Sequence, residues 1–298
     1  MASTRIRSEP PLVVIVGPTA SGKTGLAVRI AKEFSGEVIS ADSRAIYKDL
    51  TIGTAKPTPE EQQGIPHWGI DLVAPGERFT AADFKAYALQ KITEIRARGH
   101  TPILAGGTGL YVDAVLYDFE FSSVAEDTTK RDEFMELPLE QLYKYCREHN
   151  VELPSNSKNK RHVVNNILRN GRALKRKHEL DDTTIVVGIA TEKELLRQRI
   201  EERADVIITP VVIEEAVKAA ETYGWNNEAM TGNVYPLVHQ YLEGDLTLEE
   251  LKQKFITSDW HLAKRQLTWF RRNEHIRWLQ LGEAYTYLAR ELDKIGNL

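Results

Sequence analysis

The chain has 298 residues, 42% of them hydrophobic and 28% charged, with a formal net charge of −4. That balance describes a globular protein of one large domain or two modest ones, and nucleic-acid binding cannot be argued from the total charge, only from how the charge is distributed. A single cysteine, Cys146, excludes an internal disulfide and a cysteine-built zinc site, and it reads as a half-buried helix residue in a reducing cytosol.

Met1 to Pro11 is polar and lacks the apolar core of a signal peptide, so a cytoplasmic protein is expected. No apolar run approaches the roughly 20 residues that span a bilayer, so no membrane contact is expected. Leu12 to Val16 is a short β-branched apolar run, as a buried parallel strand should be. Gly17-Pro18-Thr19-Ala20-Ser21-Gly22-Lys23-Thr24 follows, and Leu26, Ile30 and Phe34 then fall on one helical face. Strand, glycine loop and helix is the context of a phosphate-binding loop. Its backbone N–H groups and helix N-terminus cradle phosphate oxygens, with Lys23 on the outer phosphates and the Thr24 hydroxyl as a Mg²⁺ ligand.

Glu37 to Ala41 reads as a second strand that ends in Asp42-Ser43-Arg44. Ligands of open α/β sheets bind beyond the carboxyl ends of strands, so Asp42 should face the loop. There it could act as a general base, ligate Mg²⁺, or only cap a turn. Ile52 to Pro57 is a glycine- and proline-punctuated loop, and His67 follows Pro66 in another. Thr80 and Asp83 have capping-box spacing for a helix that should stop at Gly99. Thr101 to Ala105 is the next strand, running into the second glycine turn, Gly106-Gly107-Thr108-Gly109, where the Thr108 hydroxyl can hydrogen-bond a ligand. This strand does not end in the Asp that ATPases use to hold their metal-bound water, which disfavours a molecular motor and leaves small group-transfer enzymes.

From about Phe119 the pattern becomes polar and helical. Lys158 to His178 carries eight Lys or Arg and no Asp or Glu. Val163, Val164, Ile167, Leu168 and Leu174 fall near one helical face, leaving the cations on the other as a surface for a phosphate backbone. Thr183 to Ala190 returns to the sheet. Thr191 and Glu194 have capping-box spacing for a helix through Arg197, Arg199 and Arg203, and residues 210–256 read as helices with acidic faces. Finally, Ala263 to Arg272 interleaves cations with Trp269 and Phe270, which either stack on a ligand or pack in the core. An α/β fold is expected, a parallel phosphate-loop sheet of residues 1–118 and 183–298 with a mostly helical insertion at 119–182.

The sequence resembles the tRNA dimethylallyltransferase (tRNA isopentenyltransferase) family. The resemblance rests on the phosphate loop, Ile39-Ser-Ala-Asp-Ser-Arg44, Ile52-Gly-Thr-Ala-Lys-Pro57, Ile65-Pro-His67, Gly106-Gly-Thr-Gly-Leu-Tyr111 and Ala263-Lys-Arg-Gln-Leu-Thr-Trp-Phe-Arg-Arg272. It implies transfer of the five-carbon group of dimethylallyl diphosphate to the exocyclic N6 amine of the adenosine 3′ to the anticodon, with Mg²⁺. It also implies roles. The loop, Lys23, Thr24 and Arg265 (with Arg271) would hold the diphosphate, and Asp42 would act as general base with Thr108 keeping it in line. Asp42, Ser43, Arg44, Ala45, Arg131, Arg161, His162 and Asn165 would meet the tRNA, the insertion gripping its anticodon stem, and the enzyme would act as a monomer.

Three stretches depart from the family pattern. Asn165 stands where a second arginine is usual, Val234-Tyr235-Pro236-Leu237 replaces Gly-Tyr-Lys-Glu, and Trp68 replaces a His or polar residue. Other classes compatible with the loop are an isopentenyltransferase for free adenine nucleotides, a small-molecule kinase, and an RNA-binding protein with a vestigial loop. The basic segment argues against the first, the 263–272 stretch against the second, and intact Lys23, Thr24 and Asp42 against the third.

Overall fold

A computed structural model describes residues 9–121, 128–172 and 175–296. Most of the amino-terminal segment and Leu174 therefore lie outside the described residues. The chain divides into two compact units, one formed by residues up to Val115 and from Asp181 onward, the other by Leu116–Leu180.

The first unit is built on a parallel sheet of β1 (Leu12–Val16), β2 (Gly36–Ser40), β3 (His67–Trp68), β4 (Thr101–Gly106), β5 (Thr184–Ile189) and β6 (Arg277–Leu279), in the order β3-β2-β4-β1-β5-β6. Every strand pair is parallel. Both faces are therefore covered, and β1 is buried along its whole length. Alternation sends Val13, Ile15, Val38, Ile103 and Val187 to one face. There they pack with Leu26, Ala27 and Ile30 of α1 (Lys23–Glu33) and with Ala284, Leu288 and Leu292 of α12 (Leu281–Gly296). The other face is covered by α3 (Ala81–Ala97), which buries Phe84, Ala88, Ile92 and Ile95; the short helices α2 (Pro59–Gln62) and α4 (Gly109–Leu116) come before and after it in the chain.

The strand order locates the site. β1 connects through α1 toward β2 on one side, whereas the chain leaving β4 returns at β5 on the other. The crevice beyond the ends of β4 and β1 is thus the switch point where ligands bind in such sheets. The loops after β1 and β4 flank it.

The Thr80–Asp83 capping box forms, and α3 ends before Gly99, whose φ of +75° is left-handed. The Thr191 box does not form. α8 (Lys193–Ile207) starts after Glu192, so Thr191 lies one residue too early to cap it. His67 belongs to β3, a two-residue edge strand too short to show in an alternation pattern. Next to it, the Trp68 indole N–H donates to Glu37 at 2.7 Å. Glu37, 3% exposed, also accepts two bonds from Arg98 and lies 2.8 Å from the His100 ring. Burial pushes its carboxyl up, but these partners outweigh it and hold it down at about 2.

Three further helices follow β5: α9 (Pro210–Tyr223), α10 (Tyr235–Leu242) and the long α11 (Leu248–Phe270), with a short 3₁₀ turn at Glu228–Thr231. In the second unit, α5 (Thr128–Glu136), α6 (Leu139–Glu148) and α7 (Lys160–Leu168) enclose a small core of Leu142, Cys146, Val163, Val164, Ile167 and Leu168. Cys146 is fully buried rather than half-buried. α7 ends at Leu168, so the cations from Arg169 onward follow the helix instead of lining it. Among the described residues no helix is long and apolar enough to cross a membrane.

Candidate active site

The phosphate loop turns between β1 and α1. Gly22 has a φ of +89°, and a Cβ there would meet Leu281 at 3.1 Å, so only glycine fits without strain. Ser21 is buried and braces the loop by donating to the Pro18 carbonyl at 2.8 Å. Thr24 is exposed in the first turn of α1. Lys23 folds back on the loop, its Nζ 2.5 Å from the Pro18 carbonyl and 3.5 Å from Ser21 Oγ. Removal from water pulls its pKa down to about 8. The Asp42 charge opposes this shift and the Arg203 cation adds to it. Lys23 thus feels a carboxylate from the turn after β2 and a guanidinium from α8.

Side chains distant in sequence hold the loop from outside. The Thr19 N–H donates to Gln266 Oε1 at 2.7 Å. Arg203 donates to the Thr19 hydroxyl, and Arg199 reaches the Ser21 carbonyl at 3.5 Å. Gln266 is thus an α11 side chain that bonds the loop, while Arg265 beside it is exposed. Successive helix residues are about 100° apart, so the motif could not say which of the two faces inward. Nothing local in the sequence ties Arg199, Arg203 or Gln266 to the loop; only the fold brings them there.

Asp42 lies two residues beyond β2, its Oδ1 accepting the Arg44 N–H at 2.8 Å. The Ser43 N–H donates to Thr108 Oγ1 at 3.0 Å, and the two hydroxyls are 3.3 Å apart. Thr108 therefore fixes the Asp42 turn through Ser43 rather than by touching Asp42. Arg44 donates to the Glu228 carbonyl at 3.1 Å. Ala45 is only 4% exposed, which removes its side chain from the surface expected to meet RNA.

The glycine turn after β4 lies close against its neighbours. A Cβ on Gly109 would meet the Trp269 ring at 2.2 Å, and that indole donates to Asp113 at 2.8 Å. Phe270 is fully buried. Of the two readings of this aromatic pair, packing is the one observed.

In the second unit, Arg161 and His162 are exposed on α7. Asn165, one turn further on, is half-buried and accepts a bond from the Arg131 guanidinium of α5.

The first unit thus sets a cation-rich phosphate cradle within electrostatic reach of the Asp42 carboxylate. Such a site can bind a diphosphate as leaving group and accept a proton from a nucleophile beside it. Thr24 offers one metal-ligating hydroxyl, and no cluster of three His, Cys, Asp or Glu able to hold a metal occurs among the described residues. That donor set suits Mg²⁺, which keeps most of its waters and substrate phosphate oxygens as ligands.

A model of the IPP transferase family matches residues 45–273. A tRNA dimethylallyltransferase of Acetivibrio thermocellus is 38% identical over 289 residues, covering 91% of this chain and 92% of that protein. The crystal structure of a tRNA isopentenylpyrophosphate transferase from Bacillus halodurans superposes with a TM-score of 0.73 at 33% identity, covering 97% of this chain and 99% of that one. A eukaryotic dimethylallyltransferase acting on tRNA shares the fold, with a TM-score of 0.74 at 24% identity over 91% of this chain and 74% of that one.

Proposed function

The chain belongs to the IPP transferase family, and from that premise we propose that its phosphate loop holds the diphosphate of dimethylallyl diphosphate while Asp42 receives a proton from the acceptor adenine. The enzyme transfers the dimethylallyl group to the N6 amine of the adenosine 3′ to the anticodon in tRNA, releasing diphosphate. The observation that supports these roles best is the pull of the Asp42 charge on Lys23, which puts the carboxylate within electrostatic reach of the phosphate loop.

The chemistry follows from these positions. The N6 nitrogen forms a bond to the terminal allylic carbon as that carbon's bond to the bridging oxygen breaks. The electron pair leaves on the diphosphate, where Lys23, Arg203 and the N–H groups of the loop meet the growing charge. The amine proton passes to Asp42. The adenine lone pair is delocalised into the ring, so nitrogen becomes a useful nucleophile only as that proton is lost. Thr24 would hold Mg²⁺, which supplies further charge neutralisation to the diphosphate when bound. Arg131, Arg161 and His162 in the second unit would meet tRNA phosphates, and the adenosine would leave its stack to react.

Incubation with unmodified tRNA and dimethylallyl diphosphate, followed by nucleoside mass analysis, tests this. A five-carbon gain on one adenosine is expected. Prenylation of free AMP instead of tRNA, or phosphate transfer from ATP, would replace the reading with one of its competitors.

A further inference from the structure

Asp259 lies on α11 and is a charged residue almost entirely removed from water, 2% exposed. A buried carboxylate is costly unless its oxygens are satisfied, and here both are. Oδ1 accepts from the Asn233 side-chain amide at 2.7 Å, and Oδ2 accepts from Arg203 Nη1 at 2.8 Å. The same Nη1 donates to the Thr19 hydroxyl inside the phosphate loop. Asn233, Asp259, Arg203 and Thr19 therefore form one hydrogen-bonded chain from the segment before α10 to the loop.

We propose that Asp259 is a positioning residue for diphosphate capture, fixing the Arg203 guanidinium over the phosphate loop. This rests on the reading of the loop as the diphosphate site. An arginine side chain has many rotamers, and ordering one only when ligand arrives costs affinity. A carboxylate fixed from behind by Asn233 removes that cost before binding. It also offsets part of the Arg203 charge, which reaches Lys23. Without Asp259, two cations would crowd an empty loop and Arg203 would lose the partner that orients it. The residues on each side of this contact are far apart in sequence: Thr19 and Arg203 are 184 positions apart, Arg203 and Asp259 are 56 apart.

The test is a double-mutant cycle on binding of dimethylallyl diphosphate and, in parallel, inorganic diphosphate. Asp259→Asn keeps the shape and removes the charge. It should raise Kd for both ligands about tenfold, the scale of one hydrogen bond to a charged group. In an Arg203→Ala background the same change should have little effect, and Kd for tRNA should hold throughout. Equal weakening with and without Arg203, or an unchanged Kd in Asp259→Asn, overturns the proposal. Should Asp259→Asn fail to fold, Asn233→Ala replaces it in the cycle, with about a threefold weakening expected and the same dependence on Arg203 required. If the wild type binds inorganic diphosphate but not the prenyl donor, the functional reading fails while the cycle still decides the role of Asp259.

Discussion

The hydroxyl of Thr108 accepts the backbone N–H of Ser43 at 3.0 Å, joining the turn after β4 to the turn that carries Asp42. The contact joins the loops after two neighbouring strands, β4 and β2, so it sets where the Asp42 carboxylate stands without touching it. Thr108→Val keeps the shape and leaves the half-buried N–H unpaired. Loss of one such bond should lower kcat about tenfold, with the donor Kd unchanged. Thr108→Ser should restore most of the rate. A rise in donor KM without a fall in kcat would place Thr108 at the diphosphate instead.

Lys23 gives the donor site a pH dependence. Its pKa in the free protein is about 8, and a bound diphosphate raises it by adding negative charge. Below pH 8 the lysine is already charged and binding moves no proton. Above that pH the free form is neutral, so binding takes up a proton and affinity falls as pH rises, by up to about tenfold per unit. Calorimetry at pH 9 in two buffers of different ionisation enthalpy should reveal the uptake, and Lys23→Arg should abolish it.

The Glu37 cluster sets an acid limit on stability. The Arg98, His100 and Trp68 partners hold its carboxyl down at about 2 in the fold, well below the usual 4.5. A depressed carboxyl stabilises the fold above its unfolded pKa, and that contribution is lost as pH falls from about 4.5 toward 2. Glu37→Gln should cost about 1–3 kcal/mol at pH 7, the range for a buried group left poorly paired, and should flatten the acid limb of the Tm profile. An unchanged limb would mean that other carboxylates control it.

Asn165 changes meaning in three dimensions. Read as a lost arginine, it invites restoration, yet its side chain anchors the Arg131 guanidinium. Asn165→Arg would add one cation and remove the acceptor that orients another, so the slope of log K against log salt for tRNA should stay near wild type. Arg131→Ala should reduce that slope by about 0.7–0.9, one phosphate contact. Coincident slopes for wild type and Arg131→Ala would mean that α5 does not face the RNA.

Local patterns carried much of this in the sequence. The phosphate loop declares itself through β1, its glycines and α1 in unbroken succession, and Thr80 with Asp83 marks a helix start within four residues. The outer brace of the loop was not legible. Gln266 meets Thr19 across 247 positions, and only the packing of α11 decides that it and not Arg265 turns inward. Thr191 shows the opposite error, a capping pattern left out of register when α8 begins at Lys193. β3 and β6 are too short to impose an alternation of their own and exist because β2 and β5 offer them an edge.

The most direct test is the single-turnover rate of Asp42→Asn with saturating dimethylallyl diphosphate, Mg²⁺ and unmodified tRNA, beside equilibrium Kd values for donor and tRNA. With Asp42 as the proton acceptor, the rate should fall about 10²-fold or more while both Kd values stay within about threefold of wild type. A wild-type rate with weakened tRNA binding would contradict that role and leave Asp42 as a residue that only positions the acceptor.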